Sequence, residues 1–189
     1  MKKSISVSQQ VVPCPVWVIG SYSKEGIPNL MTAGWCGVCC SVPSCIAVSL
    51  REATLTYENI MERKAFTVNL PSLQYISEAD YVGMESGRNA DKFSKLGLTA
   101  VNSEIVDAPY VAEFPLVLEC KVLHTFKIGL HTQFIGEILD MKIEEMFLDD
   151  TGHVAIEALN PLVYIPQINA YHTLGGKVGQ SYAIGNKHR

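Results

Sequence analysis

The chain has 189 residues, of which 48% are hydrophobic and 18% charged, and its net charge is −4 at neutral pH. This length and composition suit one globular domain with a sizeable buried core. The slightly acidic balance argues against a nucleic-acid partner, which requires a basic surface. No run approaches the roughly 20 apolar residues that span a membrane, and no apolar segment follows the basic first residues, so we expect no membrane partner, no secretory signal and a cytoplasmic location.

Strands dominate the predicted elements. Apolar and β-branched runs bounded by turn residues predict four strands: 16–22, 29–41 ending before Pro43, 45–51 and 65–70. Alternation of apolar and polar residues predicts two half-buried antiparallel strands, 116–126 and 137–143, with a turn at Gly129 between them.

Three segments predict helices: 54–64, 72–83 and 90–96. The first is the best supported, because Leu55, Ile60 and Met61 can share one face and Thr54 and Thr56 are candidate N-caps. Ser72 is the candidate cap of the second helix.

The expected fold is therefore mainly β (α+β), with antiparallel strands forming a barrel and helices packed outside it. We expect a single domain over residues 1–189. Its core spans about 11–165, and the Gly- and Tyr-rich residues 166–189 form a C-terminal extension.

The stretch WCGVCC, residues 35–40, allows three interpretations. A dithiol site at Cys36 and Cys39 would need a helix after the motif to lower the thiol pKa, whereas the following residues favour a strand. A zinc site would need four convergent ligands, but neighbouring residues on a strand point to opposite faces. The third interpretation is that these cysteines are small packing residues, and we expect no metal site.

Six separated motifs together resemble the flavin reductase-like, FMN-binding split-barrel family. They are PCPVWVIGSYSKEGIPNLMTAGW, SLREATLTYENI, FTVNLPS, ADKFSKLGL, APYVAEFPLVLECKV and GLHTQFIGEILD. Within that family the C-terminal segment resembles the tail of the flavoredoxin group. The resemblance implies a six-stranded antiparallel split β-barrel (Greek key), a homodimer, and FMN as cofactor near the subunit interface.

The resemblance places the FMN phosphate at the start of the first helix, where free backbone N–H groups and hydroxyls suit an anion. The expected binding residues there are Ser49, Leu50, Arg51, Thr54, Thr56 and Tyr57. Without the resemblance, either threonine could simply cap the helix.

The resemblance also implies residues around the flavin ring and ribityl chain: Asn29, Thr32, Ala33, Gly34, Trp35, Lys92, His131 and Tyr164. Trp35 and Tyr164 would pack near the ring, although each could equally be a core residue. Lys92 would lie near the phosphate, the ribityl chain or the polar edge of the ring. His131 is the one candidate catalytic residue, placed beside the ring, where a cation stabilises reduced flavin.

Four functions remain open at this point. An electron carrier would exchange electrons with a redox protein partner through bound FMN, and a flavin or ferric reductase would take them from NAD(P)H as a transient substrate. No Gly-x-Gly-x-x-Gly follows a strand, so NAD(P)H would bind without a Rossmann element. A thiol oxidoreductase at Cys36 and Cys39 and a non-catalytic flavin-binding module are the other two.

Overall fold

The computed structural model describes residues 1–7 and 13–188, so the first two residues of the expected core, 11 and 12, lie outside the described part. Its strands are β1 Cys14–Pro15, β2 Trp17–Tyr22, β3 Pro28–Ala33, β4 Cys36–Ser41, β5 Ser44–Arg51, β6 Ala65–Leu70, β7 Ala100–Asn102, β8 Pro109–Val111, β9 Leu116–Ile128, β10 His131–Ile143, β11 Leu162–Ile165 and β12 Ala170–Thr173. Its helices are α1 Leu55–Arg63, α2 Ile76–Met84, α3 Lys92–Leu96 and α4 Ile156–Leu159, with 3-10 turns at Leu73–Tyr75, Glu145–Phe147, Pro166–Ile168 and Ile184–His188.

One antiparallel sheet in the order β3-β2-β6-β9-β10-β5-β4 forms the barrel. Its two edge strands, β3 and β4, are consecutive in the chain and are separated only by Gly34 and Trp35. The sheet must therefore curl until the end of β3 and the start of β4 lie close together, while the two edge strands remain unpaired, as in a split barrel. The expected run 29–41 corresponds to β3 and β4 together, and when they count as one bent strand the expected six strands are present. The fold class is confirmed.

Two apolar cores lie on the two faces of β2 and β3. Inward side chains fill the barrel, among them Phe66 and Phe134, which are fully buried. The barrel is narrow at Gly136, where an added Cβ would lie 2.5 Å from the Phe66 ring. The second core packs the outer face of β2 and β3 against α2 and α3. Strand alternation thus divides successive residues of β2 and β3 between the barrel core and the helix interface.

Helix α1 begins where the sequence predicts, with Thr54 as N-cap: its side chain accepts a hydrogen bond from the Tyr57 N–H at 3.3 Å. The expectation for Ser72 is wrong in one respect. Ser72 precedes the 3-10 turn that leads into α2, but its buried hydroxyl has no partner among the described residues. The segment 72–83 therefore starts as a 3-10 turn, and α2 itself begins only at Ile76.

A small second sheet in the order β1-β11-β12 lies beside the barrel. Because β12 pairs with β11 from Leu162↔Thr173 to Ile165↔Ala170, the sheet continues past residue 165, where the core was expected to end. In the described residues, no helix has both the length and the apolar character that a bilayer crossing requires.

Candidate functional site

Two cavities adjoin at the C-terminal end of α2, and both are lined by Gly83 and Met84. The aromatic cavity, about 450 Å³, is lined by Pro15, Val16, Thr32, Gly34, Trp35, Asp80, Gly83, Met84, Tyr164, Asn169 and Tyr171. The hydroxyl cavity, about 290 Å³, is lined by Asn29, Met31, Arg51, Ala53, Thr54, Leu55, Thr56, Gly83, Met84, Glu85, Ser86, Gly87 and Lys92. Nine of the expected site residues line one or the other: Asn29, Thr32, Gly34, Trp35, Arg51, Thr54, Thr56, Lys92 and Tyr164.

The N-terminus of α1 opens into the hydroxyl cavity. A helix of nine residues leaves its first backbone N–H groups without intrahelical acceptors, and here those of Leu55 and Thr56 are in that position. The Thr54 hydroxyl is already committed, since it donates to the Arg51 carbonyl at 2.9 Å and accepts from Tyr57. The Arg51 side chain is exposed and adds a positive charge to the wall. This end of the hydroxyl cavity is suited to an anion.

A buried acceptor without a donor faces the same cavity. The Asn29 side chain is 5% exposed, and its Nδ2 donates to the Thr56 Oγ1 at 2.9 Å. Its Oδ1 has no hydrogen-bond partner among the described residues. An unpaired buried carbonyl oxygen costs about 1–3 kcal/mol, so the site favours a ligand that brings an O–H or N–H to this oxygen. Gly87 makes room for it, because an added Cβ there would lie 2.0 Å from Oδ1.

The Lys92 ammonium is directed towards the protein rather than into the cavity. Its Nζ donates to the Leu30 carbonyl at 2.7 Å and to the Val82 carbonyl at 2.8 Å, and the residue is 3% exposed. Burial lowers the pKa of Lys92 to about 8, although nearby Glu85 opposes that shift. Lys92 therefore lines the hydroxyl cavity, and its amine ties the end of α2 to β3.

The aromatic cavity has a wall built from the second sheet. The Tyr164 and Tyr171 ring centroids lie 5.5 Å apart. The Tyr171 hydroxyl donates to Asp80 Oδ1 at 2.7 Å, and that bond holds β12 against α2. Burial, followed by the bond to Asp80, raises the pKa of Tyr171. Trp35 is 39% exposed, and its carbonyl accepts from the Ser49 N–H at 2.8 Å. A flat apolar group would be enclosed here on several sides.

Five expected residues line neither cavity: Ala33, Ser49, Leu50, Tyr57 and His131. Strand alternation turns Ala33 and Leu50 into the barrel core, while their neighbours Thr32 and Arg51 reach the cavities. The Tyr57 ring packs against Phe134, with 5.7 Å between centroids.

Ser49 on β5 and His131 on β10 lie on the outer face of the barrel. The Gln133 side-chain amide donates to the Ser49 hydroxyl at 3.4 Å. His131 opens β10 directly opposite Arg51. The residue expected to be catalytic is thus one strand away from a residue that lines the hydroxyl cavity.

Several residues that line the two cavities were not predicted from the sequence: Met31, Asp80, Gly83, Met84, Gly87 and Tyr171. Those at the end of α2 are brought to the barrel by the packing of that helix on β3, which no local pattern predicts. The Tyr171 position had one usable signal, since an aromatic residue two positions after an Asn turn in a Gly-rich tail is a candidate for a short strand.

The cysteine motif WCGVCC lies in strand β4 from Cys36 onwards, so no helix follows Cys36 that would lower the pKa of its thiol. The half-buried Cys36 donates to the Ala33 carbonyl at 3.3 Å, and burial raises the pKa of its thiol, which opposes thiolate chemistry. The described residues, which include all six cysteines, contain no disulfide and no group of three or more ligand side chains placed for a metal.

The aromatic and hydroxyl cavities together form one groove, which fits FMN in size and in chemistry. Small-ligand sites typically measure about 300–1,000 Å³, and the two adjoining cavities, of about 450 and 290 Å³, together fall in that range. The anion-suited helix end matches a phosphate, the unpaired Asn29 oxygen matches a hydroxyl or imide donor, and the aromatic walls match a planar ring.

Residues 9–174 match the family model described as "Flavin reductase like domain". The structure of flavoredoxin from Desulfovibrio vulgaris (Miyazaki F) is 46% identical, covers 98% of this chain and 100% of that chain, and superposes with a TM-score of 0.93. Flavoredoxin from Methanosarcina acetivorans is 30% identical over 100% of both chains, with a TM-score of 0.93. A protein of Archaeoglobus fulgidus is 34% identical over 145 residues, which cover 77% of this chain and 81% of that protein. The chain belongs to the flavin reductase-like split-barrel family.

Proposed function

We propose that this protein is an electron carrier that binds FMN in the groove formed by the aromatic and hydroxyl cavities. The observation that carries the proposal is the unpaired, buried Asn29 oxygen beside a helix N-terminus. Buried polar atoms are normally hydrogen-bonded, so this oxygen is explained by a ligand that donates a hydrogen bond to it. The identity of 46% with a flavoredoxin over 98% of the chain supports the same assignment.

The residues of the chain divide the task of holding the cofactor. The free N–H groups of Leu55 and Thr56, with the Arg51 guanidinium, would bind the phosphate. The Asn29 Oδ1 would accept a hydrogen bond from a ribityl hydroxyl or from the ring imide. Trp35 and Tyr164 would exclude water from the ring. Bound FMN would supply the reversible uptake of electrons, which no side chain of the groove can provide.

Equilibrium titration with FMN tests this assignment. Thr56→Ala removes a hydroxyl that belongs to the hydroxyl cavity and also removes the acceptor for Asn29 Nδ2. We expect a loss of about 1–3 kcal/mol, which is up to about a hundredfold in Kd. Thr56→Ser keeps the hydroxyl and should keep the affinity.

Thr99→Ala, at an exposed position outside both cavities, is the control and should match the wild type. A protein that stays colourless after incubation with FMN would remove the proposal altogether. An unchanged Kd for Thr56→Ala would remove Thr56 from the site.

A carrier and an NAD(P)H-dependent flavin or ferric reductase differ in what reduces the bound flavin. A carrier should keep its visible absorbance when NADH or NADPH is added anaerobically and lose it with a reduced low-potential redox protein. Rapid bleaching by either nucleotide would assign the reductase activity instead. If FMN binds but neither donor reduces it, the protein is a binding module.

We also propose that the protein acts as a homodimer. Outward side chains at the end of the β9–β10 hairpin form an apolar patch: Phe126 is 52% exposed, Ile128 57% and Leu130 64%. Exposed apolar patches commonly mark protein–protein contacts. A second copy of the chain would cover this patch, which lies beside His131. Light scattering should give twice the monomer mass for the wild type, and Phe126→Glu should shift the population to monomer. A wild-type monomer at micromolar concentration contradicts this proposal but leaves the FMN assignment in place.

A further inference from the structure

Two cysteines face each other across the hairpin formed by β4 and β5. Ser41 pairs with Ser44 around a two-residue turn at Val42 and Pro43, and the next pair is Cys40 with Cys45. Side chains of directly opposed residues in an antiparallel ladder lie on the same face of the sheet. A register shift between Val38 and Cys40 leaves Cys39 without an opposed residue. The pairing therefore selects Cys40, and not Cys39, as the neighbour of Cys45.

The spacing of such a pair matches the requirement of a disulfide. Opposed Cα atoms in antiparallel strands lie about 4.5 Å apart in a non-hydrogen-bonded pair and about 5.5 Å apart in a hydrogen-bonded one. A disulfide accepts Cα separations of about 4.4–6.8 Å. Both kinds of pair fall within that range, so Cys40 and Cys45 can be joined by side-chain rotation while the backbone keeps its place.

Packing explains only one member of this pair. Cys45 is 2% exposed and serves as a small buried residue between β4 and β10. Cys40 is exposed at the barrel edge, where its thiol donates only to the Val42 carbonyl at 3.4 Å. An exposed thiol on an edge strand buries nothing and is open to oxidants. The function of the flavin groove does not use it, because neither cysteine lines either cavity.

The two thiols have unequal environments, which sets an order of reaction. Burial raises the pKa of the Cys45 thiol, and the neighbouring Cys40, Cys39 and Glu137 raise it further. The exposed Cys40 is therefore the thiol that an oxidant reaches first, and the buried Cys45 reacts only after it.

We propose that Cys40 and Cys45 form a reversible disulfide when the protein meets a peroxide. In the first step Cys40 Sγ attacks hydrogen peroxide, the O–O bond breaks, and the products are a sulfenic acid and water. In the second step Cys45 Sγ attacks the Cys40 sulfur, the S–O bond breaks, an S–S bond forms and a second water leaves. The two thiols together lose two electrons and two protons to the peroxide. The bond fixes the pairing of β4 with β5 beside the turn of the hairpin, and a dithiol reductant reverses it.

Alkylation and mass spectrometry of the whole protein test this site. The wild type is treated with hydrogen peroxide at a few equivalents, then denatured and alkylated, and the modified thiols are counted against the six in the chain. We expect a loss of about two alkylated positions, restored by dithiothreitol, with fragment spectra that link Cys40 to Cys45. Cys40→Ser should abolish the loss, Cys45→Ser should reduce it to the single position oxidised at Cys40 with no intramolecular link, and the matched Cys39→Ser control should retain the loss of two.

Three results would overturn the proposal. They are a link from Cys39 to Cys45 or to Cys40, a loss that disappears in Cys39→Ser, and stable sulfinic acid at Cys40 without any intramolecular bond. A folded-state check keeps the variants comparable: each must show the wild-type far-ultraviolet spectrum and thermal midpoint before oxidation. Because the measurement counts thiols and not flavin, failure of the FMN assignment does not affect it.

Discussion

Lys92 provides the sharpest test of how the groove is held together. Its buried amine joins the carbonyls of Leu30 on β3 and Val82 on α2. Lys92→Met keeps the length and apolar volume of the stem but removes both hydrogen bonds and the titrating group. Each orphaned carbonyl should cost about 1–3 kcal/mol, partly offset at neutral pH because a buried charge is removed as well.

The pH dependence separates these effects. The pKa of Lys92 falls from the ordinary 10.5 to about 8 in the folded protein because burial disfavours the charged form. Between these values the unfolded chain holds a proton that the folded chain does not, so the free energy of unfolding of the wild type gains from each rise in pH. The gain is about 1.4 kcal/mol per pH unit, or about 3 kcal/mol from pH 8 to 10.5. Lys92→Met lacks this contribution.

Urea denaturation of both proteins at pH 7, 8, 9 and 10 gives the required difference, since all other titrating groups cancel. The stability advantage of the wild type over Lys92→Met should widen by about 3 kcal/mol across that range. Lys95→Met removes an amine at an exposed position on the same helix and is the matched control. A pH-independent difference for Lys92→Met would refute the buried-amine argument.

Three further substitutions test other parts of the structure. Gly87→Ala would bring a Cβ to 2.0 Å from Asn29 Oδ1, so it should weaken FMN binding by at least about tenfold in an equilibrium titration. Arg63→Met removes donors to the Ser23–Lys24 carbonyls and to Asp107, and should lower the free energy of unfolding by about 1–3 kcal/mol in urea. The double change Cys36→Ser with Cys39→Ser should leave flavin reduction by a redox protein unchanged in an absorbance assay.

Each of these tests has a matched control or a contrary outcome. Gly37→Ala adds a Cβ with no neighbour within 4 Å and should bind FMN as the wild type does. Arg88→Met breaks an ion pair whose partners are 48% and 63% exposed, so its effect should stay under about 1 kcal/mol. Loss of electron transfer in the double cysteine variant, with FMN still bound, would reopen the thiol oxidoreductase interpretation.

Local patterns were sufficient for elements whose signals are confined to a few neighbouring residues. The cap at Thr54 and the start of α1 needed only residues 54–57, because a cap bonds within its own turn. The β9–β10 hairpin was predictable in kind, since alternation and Gly129 indicate two strands and a turn, but β10 begins at His131 and not at the predicted residue 137. The prediction that Ser72 caps a helix was wrong because tertiary packing buries its hydroxyl and overrides the local cap preference.

The candidate site was predictable only where a side chain is delivered by a strand or helix end that the motifs identify. Thr32, Arg51 and Thr56 line the cavities, whereas Leu50 and Ala33 turn into the core because neighbouring strand residues alternate. The direction of the Lys92 amine could not be deduced, since both carbonyl partners are more than nine residues away in the chain.

The sequence by itself determined the class of the fold, the order of the barrel strands and of the first three helices, and the family to which the chain belongs. Those properties depend on periodicity, turn residues and motif order, all of which are local or additive along the chain. The tertiary structure alone decided that α2 meets β3 at Gly83, that Asn29 keeps an unpaired oxygen beside α1, and that Cys40 faces Cys45. The first two depend on distances between segments that only the curling of the sheet and helix packing bring together, and the third depends on the register of the β4–β5 hairpin.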